Sequence, residues 1–159
     1  MMILAIDLGK RRSVACVYEG DGARIKYVSI DTTPQALHDL LTELVPDRVV
    51  IEIGPQAGWV HDLVTSLEIE IEVANPSHEA WRWRKVRNKS DRKDALKLAR
   101  LSASNQLPRV HMPSRDVRGW RECIAYRCAL RTRRTAIKNS IRAILTRLAL
   151  PMATGASAW

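Results

Sequence analysis

Apolar and polar positions follow two different periods along the first half of the chain. "MILAID", "SVACVYEG" and "RIKYVSI" are short, β-prone apolar runs, the pattern of strands whose successive side chains face opposite ways. "GDG" at residues 20–22 is a tight-turn signal between the second and third, so the three predict an antiparallel meander. After Asp31 the period changes. "TTPQALHDLLTELV" offers Thr32 or Thr33 as N-cap, Pro34 near the first turn, and Leu37, Leu40, Leu41 and Leu44 at helical spacing. "RVVIEIG" reads as a buried strand, "GWVHDLVTSL" as a second helix, and "IEIEVANP" as a further strand ended by Pro76. The order βββαβαβ predicts an α/β domain with a mixed sheet, a meander extended by parallel strands through right-handed crossovers.

The second half reads as helical. "SHEAWRWRKVR" predicts a helix entered after Pro76, and Ser90 is a good N-cap for "DRKDALKLARLSASN", where Ala95, Leu98, Ala99 and Leu101 make an apolar stripe. Residues 105–114, with Pro108 and Pro113, read as a connector. From Ser114 to Leu148 the pattern predicts one long helix or a helical hairpin. One seam position of a heptad register holds Cys123, Leu130, Ile137 and Ile144; the other holds Trp120, Arg127, Arg134, Ile141 and Leu148. Two arginines in that seam depart from a regular coiled coil. Leu130, Ile137, Ile141 and Ile144 would nevertheless leave an apolar stripe in water unless they pair one chain with another, so a homodimer or higher homo-oligomer is expected. The expected organisation is a domain over 1–107, a helical, dimerising extension over 108–150, and a tail or truncation point over 151–159.

Charge divides the chain at the same place. Residues 1–80 carry 6 Lys and Arg against 13 Asp and Glu, a balance of −7, and residues 81–159 carry 20 against 4, a balance of +16, within a total of +9. A basic half of this size predicts a polyanionic partner, because each neutralised phosphate releases counterions. A membrane partner is not indicated. No apolar run approaches the ~20 residues of a span, and "MMILAIDLGK" lacks a basic region before its apolar stretch. Cys16, Cys123 and Cys128 are odd in number and form no CxxC or Cys/His grouping, which predicts a reducing, cytoplasmic setting.

Against this background the acids stand out. "NKSDRKDALKLARL" is crowded with cations, yet it keeps Asp91 and Asp94 at i and i+3 on one helix face. Asp7 closes the first strand, on the side of Ile3 and Ala5, before the Gly9 turn. Glu52 lies in "VVIEIG", where a charge among apolar neighbours is expensive without a cationic partner. Each acid taken alone has an ordinary structural reading as turn former, first-turn helix acid or surface ion-pair partner. Together they make a candidate site for a divalent cation, Mg²⁺ or Mn²⁺, whose chemistry favours carboxylate oxygen. Lys10, Arg82, Arg84, Lys85, Arg87, Lys89, Arg92 and Lys93 are the candidate phosphate contacts. "WRWR" at residues 81–84 suits base stacking and packing on a sheet equally well.

"AIDLGK", "VVIEIGPQAGW" and "NPSHEAWRWRKVRNKSDRKDALKLARL" resemble, in order, the motifs of the DEDD transposases of the insertion sequence 110 family, related to the Piv invertases. "KSDRKDALKLARL" is the most specific part, similar to that family's lysine, Ser/Thr, Asp, Arg, x, Asp, Ala signature. The resemblance implies a ribonuclease H-like, RuvC-like fold with a mixed five-stranded sheet and helices on both faces, followed by a long helical or coiled-coil extension. It implies Asp7, Glu52, Asp91 and Asp94 as the catalytic, metal-holding acids, and metal-dependent phosphodiester chemistry on DNA in transposition, with a structured guide RNA as partner. Members of that family continue into a domain that supplies a serine, so this chain alone is expected to be an incomplete recombinase. Two other functions fit parts of the pattern: a RuvC-like Holliday-junction resolvase, and a nucleic-acid-binding module whose acids are inert. "AIDLGK" also resembles the first phosphate loop of sugar kinases, which additionally need a second nucleotide-binding half and a later Gly-rich loop.

Overall fold

The computed structural model describes residues 1–75 and 90–151. The helix expected from "SHEAWRWRKVR", with Arg82, Arg84, Lys85, Arg87 and Lys89, lies outside the described residues, as does the end of the chain from residue 152. Five strands form one sheet: β1 Met2–Asp7, β2 Arg12–Glu19, β3 Arg24–Asp31, β4 Arg48–Glu52 and β5 Glu70–Ala74. Their spatial order is β3-β2-β1-β4-β5. The first three pair antiparallel, and β4 and β5 are added parallel on the other side of β1. This is the mixed, ribonuclease H-like sheet that the sequence resemblance implies.

Strand alternation sorts the core into two layers. Leu4 and Ile6 of β1, with Val49 and Ile51 of β4 and Val73 of β5, face α1 (Pro34–Leu44) and α2 (Ala57–Ser66). Their partners are Leu37, Leu40 and Leu41 of α1 and Ala57, Val60 and Val64 of α2, all buried. Thr33 is the N-cap of α1, its hydroxyl accepting from the Ala36 amide at 3.2 Å, and Pro34 takes the first helical position. Ile3 and Ala5 of β1, Cys16 and Tyr18 of β2, Val50 of β4 and Ala74 of β5 face the other way. That face is covered by α3, Asp91–Ala103, through Ala95, Leu98 and Ala99. Small side chains meet small ones here: Ala95 and Ala99 lie over a layer containing Ala5 and Cys16, which lets the helix approach the sheet closely.

Residues 105–113 do more than connect. They run beside β5: the Asn75 amide donates to the Pro108 carbonyl at 2.8 Å, the Val110 amide donates to the Val73 carbonyl at 2.8 Å, and Ala74 bridges Arg109 antiparallel. Leu107 and Met112 are buried, one in each core layer. The first compact unit accordingly runs from Met1 to Pro113 and the second begins at Ser114. In the second, α4 is one continuous helix of 33 residues, Arg115–Arg147, with no hairpin turn. The Ser114 hydroxyl caps it by accepting from the Val117 amide at 3.4 Å, and none of its side chains is buried. Among the described residues, no helix is long and apolar enough to cross a membrane.

Candidate functional site

The acids enter through the strand ends. Ile6 pairs with Ile51 in the parallel β1–β4 ladder, so Asp7 and Glu52 stand one step beyond, on adjacent strands whose backbones lie about 4.8 Å apart. Both continue the alternation that carries Ile3, Ala5 and Val50 onto the α3 face. Both are half-buried. The turn after Asp7 is tight enough to require glycine: a Cβ on Gly9 would lie 2.0 Å from the Arg12 carbonyl oxygen. On the far side, the Gln56 side-chain amide donates to the Lys10 carbonyl at 3.5 Å, joining the loop after β4 to the loop after β1.

The second pair of acids is delivered by the direction of α3. Its last turn is tied to the start of β4 and the middle of β5: the Ser102 hydroxyl donates to Glu72 Oε2 at 2.7 Å, and Arg48 Nη1 donates to the Ser102 hydroxyl at 3.3 Å. From Ser102 back to Asp91 the helix rises about 16 Å, and from Arg48 to Glu52 the strand advances about 13 Å. From that anchor α3 runs back over the sheet toward β2 and β3, where Arg92 meets Tyr27, with Asp91 and Asp94 in its first turn. Asp94 is half-buried and Asp91 exposed. Ser90 stands at the N-cap as the sequence predicts, but its contribution comes from the backbone: its carbonyl accepts from the Lys93 and Asp94 amides, and its side chain makes no cap bond.

The four acids fall as two pairs, Asp7 and Glu52 at adjacent strand ends and Asp91 and Asp94 in the first turn of α3. Among the described residues, no three His, Cys, Asp or Glu side chains are grouped to hold a metal ion, so the pairs do not close into one cage. Their donor chemistry nonetheless suits a hard divalent cation, since every ligand on offer is carboxylate oxygen. Of the candidate phosphate contacts within the described residues, Lys10 lies on the loop after β1 and Arg92 and Lys93 in the first turn of α3, all three exposed.

Sequence reasoning missed two groups nearby. Glu72 is buried, 3% exposed, and gathers Arg48 at 3.3 Å and Arg109 at 2.8 Å around its Oε1 while Oε2 takes Ser102. The two guanidiniums meet Oε1 at ion-pair distance without hydrogen-bond alignment. Arg48 also reaches Glu70 at 3.0 Å. The signal existed, because Glu72 lies in "IEIEVA" as Glu52 lies in "VVIEIG", a charge on an apolar strand. The second group is Tyr27, with the Arg92 guanidinium over its ring, 5.6 Å from the centroid.

Asp7 and Glu52 thus stand at adjacent strand ends of a mixed five-stranded sheet, with Asp91 and Asp94 on the helix that covers it. The comparisons carry the assignment further. A family model described as a transposase, that of the DEDD transposases of insertion sequence 110, matches residues 4–149. The chain belongs to that family. Among solved structures, it is similar to RuvC of T. thermophilus in complex with a Holliday junction substrate, at 14% identity and a TM-score of 0.48, over 69% of this chain and 99% of that one. It is similar also to the fowlpox virus Holliday junction resolvase, at 17% identity and a TM-score of 0.46, over 67% of this chain and 100% of that one. A putative N-acetylmannosamine kinase from Listeria monocytogenes shares less, at 16% identity and a TM-score of 0.35, over 48% of this chain and 36% of the kinase. No curated protein matches the sequence.

Proposed function

We propose that this chain is the metal-dependent, DNA-processing domain of an insertion-sequence transposase, with Asp7, Glu52, Asp91 and Asp94 as its catalytic acids. The observation that supports this is the pairing of Asp7 and Glu52 at the ends of β1 and β4, on the sheet face that α3, the helix carrying Asp91 and Asp94, covers. Family membership over residues 4–149 supports the same activity. A bound Mg²⁺ or Mn²⁺ would stabilise charge on the attacking and leaving oxygens of a phosphodiester. Asp7 and Glu52, on the sheet, would supply part of its ligand set, and Asp91 and Asp94, on α3, the rest. Lys10, Arg92 and Lys93 lie on the loop and helix turn beside the acids and hold the strand by its phosphates. The basic residues between 81 and 89 extend that grip along the nucleic acid.

DNA is the substrate, a structured guide RNA the expected partner, and the cytoplasm the expected setting. α4 joins this chain to another copy through Leu130, Ile137, Ile141 and Ile144. This domain binds metal and nucleic acid, and its rate of cleavage depends on how the reacting groups are oriented, which supplies much of a catalytic barrier. Calorimetric titration with Mn²⁺ tests the site. Saturable binding that weakens tenfold or more in Glu52→Gln is expected; unchanged affinity in that variant would remove Glu52 from the site. Vigorous junction-selective cleavage by the chain alone, lost in Asp7→Asn, would favour a resolvase instead.

A further inference from the structure

Cross-strand register extends the site sideways. Asp7 pairs with Val14, and Val14 with Ser29, so a row of side chains on the α3 face leads from the acids to the edge strand β3. Val14 is half-buried and Ser29 exposed, which leaves this row as an open floor. In the neighbouring row Ala5 pairs with Cys16, and Cys16 with Tyr27. Two strand spacings and two residues of rise separate Tyr27 from Asp7, about 12 Å between their backbones. That distance is about three to four nucleotides at the ~3.4 Å rise of one strand of a duplex.

The surroundings of Tyr27 have a specific chemistry. Its ring is 36% exposed on an edge strand, with the Arg92 guanidinium over it. Arg92, Leu96 and Arg100 recur at four-residue spacing along α3, and Leu96 packs against the core layer that includes Cys16 and Ile25. This turns the stripe toward β2 and β3. The Tyr27 phenol is raised above its ordinary value by desolvation and by the Cys16 thiol, while Arg100 and then Arg92 oppose the rise. A partly exposed aromatic ring beside a guanidinium suits a nucleic-acid strand, whose bases stack on aromatic rings and whose phosphates pair with guanidinium.

We propose that Tyr27 and Arg92 form a shelf that binds a single nucleic-acid strand, the Tyr27 ring stacking a base and Arg92 taking an adjoining phosphate. The shelf rests on the reading of this chain as a nucleic-acid-processing domain, and it does not depend on the metal. It holds the strand a few nucleotides from the acids, so that the strand lies along the Val14 and Ser29 floor toward Asp7.

The test is anisotropy of a fluorescein-labelled strand of about 12 nucleotides, a length within the footprint of a small binding fold, made once as DNA and once as RNA. It is run on the full chain in EDTA, so that a failed metal site leaves the result readable. Tyr27→Ala is expected to weaken binding roughly fivefold or more, as loss of one stacked base does, and Tyr27→Phe to bind like the parent. Arg92→Gln is expected to lower the slope of log affinity against log salt by about 0.7, one phosphate of a single strand. A loss in either arm with Tyr27→Ala, spared in Tyr27→Phe, supports the shelf and names its strand. Unchanged binding of Tyr27→Ala to both strands, or an equal loss in Tyr27→Phe, overturns it.

Discussion

Glu72 illustrates what a single buried charge does in this fold. It lies on β5, yet it links β4 through Arg48, α3 through Ser102 and the strand-like segment after α3 through Arg109. Burial of a carboxylate is tolerated because two guanidiniums and a hydroxyl replace its water. Glu72→Ala is expected to lower the free energy of unfolding by about 3 kcal/mol, since Arg48 would keep only the half-exposed Glu70 and Ser102 would lose its acceptor. Urea denaturation measures this; a loss below about 1 kcal/mol would mean that the arginines find water instead. Cys16 gives a second residue-scale prediction. Burial pushes its thiol up from 9.0 to about 11, against a smaller opposing pull from Arg100. The unfolded chain therefore releases this proton first as pH rises, and the stability held by the neutral thiol is lost between about 9 and about 11. At pH near 8 a thiol reagent should modify exposed Cys123 and Cys128 quickly, and Cys16 only after denaturant is added.

At the scale of elements, most of the fold was legible because its elements announce themselves chemically. Pro34 after Thr33, the leucines of α1, and the "GDG" turn each fix an element end or face by local rules, and the structure agrees. Alternation sufficed to put Asp7 and Glu52 on one side of neighbouring strands. What the sequence left open is non-local. The prolines at 108 and 113 suggest a loop, and only the free edge of β5 explains why that segment lies in register there instead. Heptad spacing cannot distinguish one helix from two, and the uninterrupted backbone of α4 decides it. Nor does any local pattern give the direction of α3, which follows from Ser102 finding Glu72. The close seating of that helix carries a prediction. Ala99 is fully buried against the sheet, and Ala99→Leu adds volume where none is free, at a cost of about 1–3 kcal/mol. Because the same seating sets the height of Asp91 and Asp94, this variant should also bind Mn²⁺ more weakly than its stability loss alone predicts. Calorimetry well below its melting temperature separates the two effects. Parent-like affinity in a folded Ala99→Leu chain would show that helix seating does not control the site.

On the scale of the whole molecule, the two compact units have opposite relations to water. The first buries two core layers, whereas the second exposes Val117 at 42%, Ile124 at 59%, Leu130 at 45%, Ile137 at 61% and Ile144 at 47% along a helix with no buried residue. A helix of that length spans about 50 Å, and an isolated helix draws little stability from propensity alone, so covering Leu130, Ile137 and Ile144, which recur every seven residues, would stabilise it. A second copy of the chain supplies a matching stripe, but the charges set a limit. α4 also carries Arg127 and Arg134 in the seam register, and like charges facing each other weaken association at low salt more than at high salt. Self-association is therefore expected to strengthen as salt rises, opposite in sign to nucleic-acid binding, which weakens as counterions are no longer released to advantage. Light scattering across a concentration and salt series reads the first, and anisotropy of a labelled duplex reads the second. Ile137→Asp combined with Ile144→Asp should give a monomer at every salt concentration while the salt slope of nucleic-acid binding to the first unit remains. A parent chain that stays monomeric at high concentration and high salt would sink the pairing of α4 with its own copy.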